Sequence, residues 1–181
     1  MNDGAGADRA GATARDDVPW LDADEQAAWR AYMEMRDEVT LRLERDLQSR
    51  SGLSGADYQV LVVLSESPRD AARPVELCAT LRWEQSRLSH QLTRMERRGL
   101  VERRACEEDA RGSIVALTSE GRAAIEAAAP GHVLALRALL VDVIGREGLL
   151  QLGALAQQVL DGLPDDDLRS KGSRRAGEPA S

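Results

Sequence analysis

The sequence predicts a mainly α fold with a small β-hairpin wing (α+β), a winged helix-turn-helix with long N- and C-terminal dimerisation helices. Three observations predict it. Apolar residues recur at helical spacing over most of the chain. Two short strand-like runs flank one polar, charged connection. A short helix, a tight turn and an arginine-rich helix come just before that hairpin. Composition agrees: 43% of the 181 residues are hydrophobic, but only 3% are aromatic and none is Phe. The core must then be built from Leu, Val and Ala, which suits helices better than sheets.

Taken in order, residues 1–18 and 164–181 are small, polar and charged, and read as disordered tails. Between them, 19–163 reads as one winged helix-turn-helix domain, with 19–50 and 119–163 for dimerisation and 54–118 as the DNA-binding lobe. A first helix is expected over 22–48, with Trp29, Tyr32, Met33, Val39, Leu43 and Leu47 on one stripe and Arg36 among them. Ser54 and Asp57 have the spacing of a capping box, and Leu53 and Tyr58 that of a hydrophobic staple, so a second helix starts there. Residues 67–73 read as a polar loop. Pro74 suits the first turn of a short third helix, and a fourth runs over 84–98 and stops at Gly99. Strands are expected over 100–104 and 113–117. Thr118 caps a long helix that Pro130-Gly131 should kink or interrupt, and a last helix spans 147–163. The flanking helices are too apolar to stand alone, and a two-fold homodimer is the commonest way to bury such a surface.

The formal net charge is −7, which speaks against a nucleic-acid partner only if charge is uniform. It is not. From Arg82 to Arg104 there are seven arginines and three glutamates, a local balance of about +4. With Leu88, Leu92 and Met95 as the buried stripe of the fourth helix, the opposite face is Ser86, His90, Thr93 and Arg97, flanked by Arg87, Ser89 and Arg94. That face has no carboxylate and many hydrogen-bond donors, as a helix in the major groove of double-stranded DNA needs. Ser86, Arg87 and His90, near the helix start, are expected at bases; Arg94, Arg97 and Arg98 are expected at phosphates or as ion-pair partners of nearby acids. The hairpin loop contains Glu107, Glu108, Asp109 and Arg111. Asp109 is expected to shape the loop and Arg111 to enter the minor groove.

Three segments in order carry a family resemblance: Met95-Glu96-Arg97-Arg98-Gly99-Leu100-Val101-Glu102-Arg103, then Asp109-Ala110-Arg111, then Leu117-Thr118-Ser119-Glu120-Gly121-Arg122. They resemble the MarR family's pattern of L-E-x-x-G-L-V-x-R, D-x-R and L-T-x-x-G, with Met95 in place of the usual Leu. The resemblance spans roughly 22–163. It implies a homodimer on a roughly palindromic operator, with the fourth helix in the major groove and the wing in the minor groove. It also implies a ligand pocket lined by the first, second and fifth helices, for which Trp29, Tyr32, Met33, Arg36, Tyr58 and His132 are the candidates. Arg36, a cation on an apolar stripe, suits an anionic or phenolic effector; the plainer alternative is a salt bridge or a snorkelling side chain.

Other functions are weighed on the same residues. No Gly-rich phosphate loop, zinc motif or nucleophile–base pairing is present, so no catalytic residue and no cofactor are expected. His90 and His132 stand far apart, and no metal is expected. Cys78 reads as a buried structural thiol; Cys106, in the wing, is the candidate for a redox-responsive regulator. A winged-helix module for protein–protein contact would be expected to lose its fourth-helix cations, whereas Arg87 and Arg94 remain. Architectural DNA binding is a further alternative. No basic start with an apolar run is seen at the N-terminus, and the most apolar region, 133–144, is broken by Arg137 and Asp142. No membrane partner and a cytoplasmic location are therefore expected.

Overall fold

The computed structural model describes residues 18–106 and 109–164, without the side chains of 106–112. The tails expected at 1–18 and 164–181 therefore lie, except for Val18 and Pro164, outside the described residues. The chain divides into two units, Met1–Glu38 and Val39–Ser181. Helix α1, Ala23–Ser51, begins in the first. Its start is tied by a reciprocal pair: the Asp22 N–H donates to Glu25 Oε2 at 2.9 Å and the Glu25 N–H to Asp22 Oδ1 at 2.8 Å. Trp29 and Tyr32 are exposed on it with ring centroids 5.7 Å apart.

The second unit holds the core. Helix α2, Gly55–Glu66, starts with the predicted capping box: the Asp57 N–H donates to Ser54 Oγ and the Ser54 N–H to Asp57 Oδ2. Leu53, Val60, Leu61 and Leu64 are buried behind it. Helix α3, Pro74–Leu81, follows, with Leu77 buried and Val75 on the exposed side. Helix α4, Gln85–Arg97, adds Leu88, Leu92 and Met95 to the same cluster. Each apolar side chain so enclosed contributes on the order of 1.5–3 kcal/mol relative to exposure. Strands β2, Val101–Cys106, and β3, Asp109–Leu117, pair antiparallel from Val101↔Leu117 outward. Both are longer than predicted.

The loop expected over 67–73 needs correction. Pro68–Asp70 forms a 3₁₀ turn, and Ala71–Ala72 forms β1, which pairs with Ala116 and Val115 of β3 in a three-stranded sheet ordered β1-β3-β2. Asp70, with a φ of 57°, places its carboxylate against the Arg122 guanidinium, in the helix that follows the hairpin. Two alanines carry no alternation to read, and a tertiary ion pair makes the turn specific.

Arg82, between α3 and α4, also takes a left-handed conformation, with φ 53° and ψ 42°. A side chain there costs about 1–2 kcal/mol of backbone strain. Arg82→Gly is expected to stabilise the protein by about 1 kcal/mol, a rise of about 3 °C in the thermal midpoint. A scanning-calorimetry midpoint at or below the parent's would count against it.

Helix α5, Ser119–Leu136, is capped by Thr118, whose Oγ accepts the Gly121 N–H at 2.9 Å. The predicted interruption at Pro130-Gly131 does not occur: α5 continues through Pro130. Pro130 and Glu126, whose carbonyl loses its partner, both lie on the exposed side of the helix. The irregularities come later, as a π-helical turn over Arg137–Val141 and a break at Gly145 (φ 72°, ψ 171°) inside α6, Asp142–Gly162. Beyond the break at Gly145 the helical run to Gly162 begins within a residue or two of the expected start at 147. The reading that Arg137 and Asp142 break the most apolar region is corrected: by length and composition alone, part of Ser119–Gly162 is long and apolar enough to cross a membrane. Arg137 and Asp142 do not offset the Ala, Leu and Val around them. Val133, Leu134, Leu150, Leu155 and Val159 of this run are exposed.

Candidate nucleic-acid interface

The helix-turn-helix is assembled from α3, the Arg82 turn and α4. The Trp83 N–H donates to the Cys78 carbonyl at 3.0 Å and closes the turn, with Trp83 buried. Burying Leu88, Leu92 and Met95 turns Ser86, Arg87, Ser89, His90, Arg94 and Arg97 outward. Thr93 is half-buried and donates its hydroxyl to the Ser89 carbonyl at 2.9 Å. Arg87 Cζ lies 4.2 Å from the centroid of the Trp83 ring, a cation–π contact that restrains the guanidinium at the head of the helix. All six recognition residues expected from sequence thus lie on α4, five of them exposed. Asp109 and Arg111 are in β3, but their side chains fall outside the described residues.

The other arginines separate by role. Arg98 is an ion-pair partner: Nη1 lies 2.6 Å from Asp57 Oδ2, and Nη2 donates to the Gly52 carbonyl at 2.9 Å. Arg103 pairs with Glu96 at 3.7 Å, and Arg104 with Glu102 across the exposed strand face. Asp57 is buried, and desolvation alone would raise its pKa. Hydrogen bonds from Ser54 and Arg98, with the Arg98 charge, outweigh that and hold the carboxyl below its ordinary range.

The family pattern now has physical content. Gly99 ends α4 with φ +70°. The Thr118 hydroxyl donates to the Gly99 carbonyl at 2.5 Å. At Gly121 an added Cβ would sit 1.9 Å from the Leu100 carbonyl oxygen, so helix α5 can start against the backbone just before β2 only with glycine there.

Comparison with known proteins agrees with this geometry. The MarR family model matches residues 51–112. The crystal structure of AbsC, a MarR family transcriptional regulator from Streptomyces coelicolor, is 40% identical, with a TM-score of 0.76 over 80% of this chain and 97% of that one. The chain belongs to the MarR family. A second member from Streptomyces coelicolor, Sco3205, solved in complex with DNA, is 39% identical, with a TM-score of 0.78 over 83% of this chain and 94% of that one. The HTH-type transcriptional repressor YetL of Bacillus subtilis is 30% identical over 96 residues, 53% of this chain and 58% of that repressor.

The residues expected to line a MarR-family pocket fall in both units. In the first, Trp29, Tyr32 and Arg36 are exposed, Met33 is half-buried, and Arg36 pairs with Asp37 at 2.7 Å. In the second, the Tyr58 and His132 rings stack at 4.3 Å, and His132 Nδ1 is buried with no hydrogen-bond partner among the described residues. Cys78 is half-buried; burial and then the Glu84 charge push its thiol up, away from reactive thiolate. The Cys106 side chain lies outside the described residues. Sequence reading gave no role to Trp83 or Gln91 and saw Asp57 only as a helix cap. For Gln91 a signal existed: position 91 falls on the Leu88–Leu92–Met95 stripe.

Proposed function

We propose that the protein is a sequence-specific DNA-binding transcriptional regulator, a ligand-responsive repressor that acts as a cytoplasmic homodimer on a palindromic operator. One observation carries it: α4 turns outward a face of Ser86, Arg87, Ser89, His90 and Arg94 with Arg87 already seated on Trp83. DNA binding by the similar Sco3205 and the repressor role of YetL support the same reading. In it Ser86, Arg87 and His90 meet base edges, Ser89, Thr93 and Arg94 complete the groove contact, and Asp109 and Arg111 act from the wing. Exposed Leu150, Leu155 and Val159 on α6 suit burial against a second copy, which would set two α4 helices about one DNA turn apart. A small anionic or phenolic effector would release the operator, with Arg36 as the cation that meets it.

The test is fluorescence anisotropy with DNA flanking the protein's own gene and a scrambled duplex across a salt series. Roughly 10³-fold preference and a steep salt dependence are expected. Arg87→Ala should weaken specific binding by about 1–3 kcal/mol and relax discrimination at one base pair per half-site. Equal loss on both duplexes would make Arg87 a phosphate contact instead. Arg36→Ala is expected to abolish the effector response in the same assay; an unchanged response removes the ligand role and leaves the salt bridge.

A further inference from the structure

We propose that Gln91 is a positioning residue that aims Arg94 at DNA while leaving its charge unspent; the inference rests on the DNA-binding reading of α4. Asp57 stands at the N-terminus of α2 as a buried acceptor for three groups. Its Oδ2 takes the Ser54 N–H at 2.9 Å and Arg98 Nη1 at 2.6 Å, and its Oδ1 takes Gln91 Nε2 at 2.6 Å. A carboxylate can only accept, so the Gln91 amide must turn its NH₂ inward and its carbonyl outward. The Arg94 guanidinium donates to that outward carbonyl. The chain of contacts thus runs from the cap of α2, through a side chain 2% exposed, to a surface cation on the groove face.

The chemistry of each partner matters. Arg98 meets a carboxylate, so its charge is largely balanced inside the protein. Arg94 meets a neutral amide and, among the described residues, makes no ion pair. It is held in place before DNA arrives, so less side-chain freedom is lost on binding, and its full charge remains for a phosphate. Among ordinary side chains of this length only glutamine links an acceptor on one side to a donor on the other. Glutamate would set a second buried negative charge against Asp57, and a hydrocarbon would leave Arg94 unaimed.

The experiment uses the full chain and the preferred duplex, with Gln91→Met, Arg94→Ala and the double variant measured by anisotropy across a salt series. Gln91→Met should weaken binding about fivefold to tenfold in the parent, and less than twofold when Arg94 is already alanine. Arg94→Ala should lower the slope of log K against log salt by about 0.9 per phosphate released. An equal loss from Gln91→Met in both backgrounds, or no loss, overturns the inference. Should Gln91→Met not fold, Gln91→Asn, which keeps the amide one methylene short, must show the same pattern. If the parent prefers no duplex, the DNA-binding reading has failed and not the relay. Guanidinium NMR without DNA then decides, since Arg94 must rotate slowly in the parent and freely in Gln91→Met. Identical rotation in both would sink the relay.

Discussion

Gly121→Ala is expected to destabilise the protein by about 3 kcal/mol, near the upper end for an inserted methyl group. The added carbon would lie 1.9 Å from the Leu100 carbonyl oxygen and 2.9 Å from its carbonyl carbon, and backbone cannot rotate away as a side chain can. The first turn of α5 would have to lift from the Gly99-Leu100 connection, taking with it the Thr118 hydroxyl bond to Gly99 and the Thr118 N–H bond to Leu100. A fall of about 10 °C in the thermal midpoint should result. Gly153→Ala is the matched control, since an added Cβ at that α6 position meets nothing within 4 Å. Equal small shifts in the two variants would show that the approach of α5 to Leu100 is not rigid.

Asp57→Asn is expected to cost about 2 kcal/mol at neutral pH and to flatten the acid limb of stability. The amide cannot balance Arg98, and it offers one acceptor where the carboxylate serves Ser54, Gln91 and Arg98. Because Arg98 is partly exposed, the loss should stay below that of a fully buried pair. The Asp57 carboxyl is held below its ordinary value in the folded chain. Its contribution is therefore present above the unfolded value of about 3.9 and disappears as pH falls through the folded value. Urea midpoints measured from pH 6 downward should converge for parent and variant under acid conditions. Parallel curves at every pH would mean that Asp57 does not supply the pH-dependent part.

These two sites also show what was legible in the sequence. Ser54 with Asp57, Gly99 and Thr118 are local signals, each decided by residues within one turn, and all stand where pattern and capping chemistry put them. The outward face of α4 was legible for the same reason, since a buried stripe of Leu88, Leu92 and Met95 leaves only one outward direction. The bonds from Asp57 to Gln91 and Arg98 span 34 and 41 residues, and no local period encodes them. β1 was hidden because two alanines have neither alternation nor bulk. Pro130 misled because its breaking tendency depends on whether the orphaned carbonyl can reach solvent, which sequence does not state.

The short β1 strand also makes the wing mechanically graded. At Val115 and Ala116 the sheet is three strands wide, whereas at Ile114 and Ser113 only β2 and β3 remain. The root is clamped on both sides and tied to α5 through Asp70 and Arg122. Bending of the hairpin is therefore expected to begin at Ile114. A load applied at the far end would be taken up there, while the register of α4 stays put. Amide exchange should report the same point as a step, slow at Val115 and Ala116 and faster from Ile114 outward.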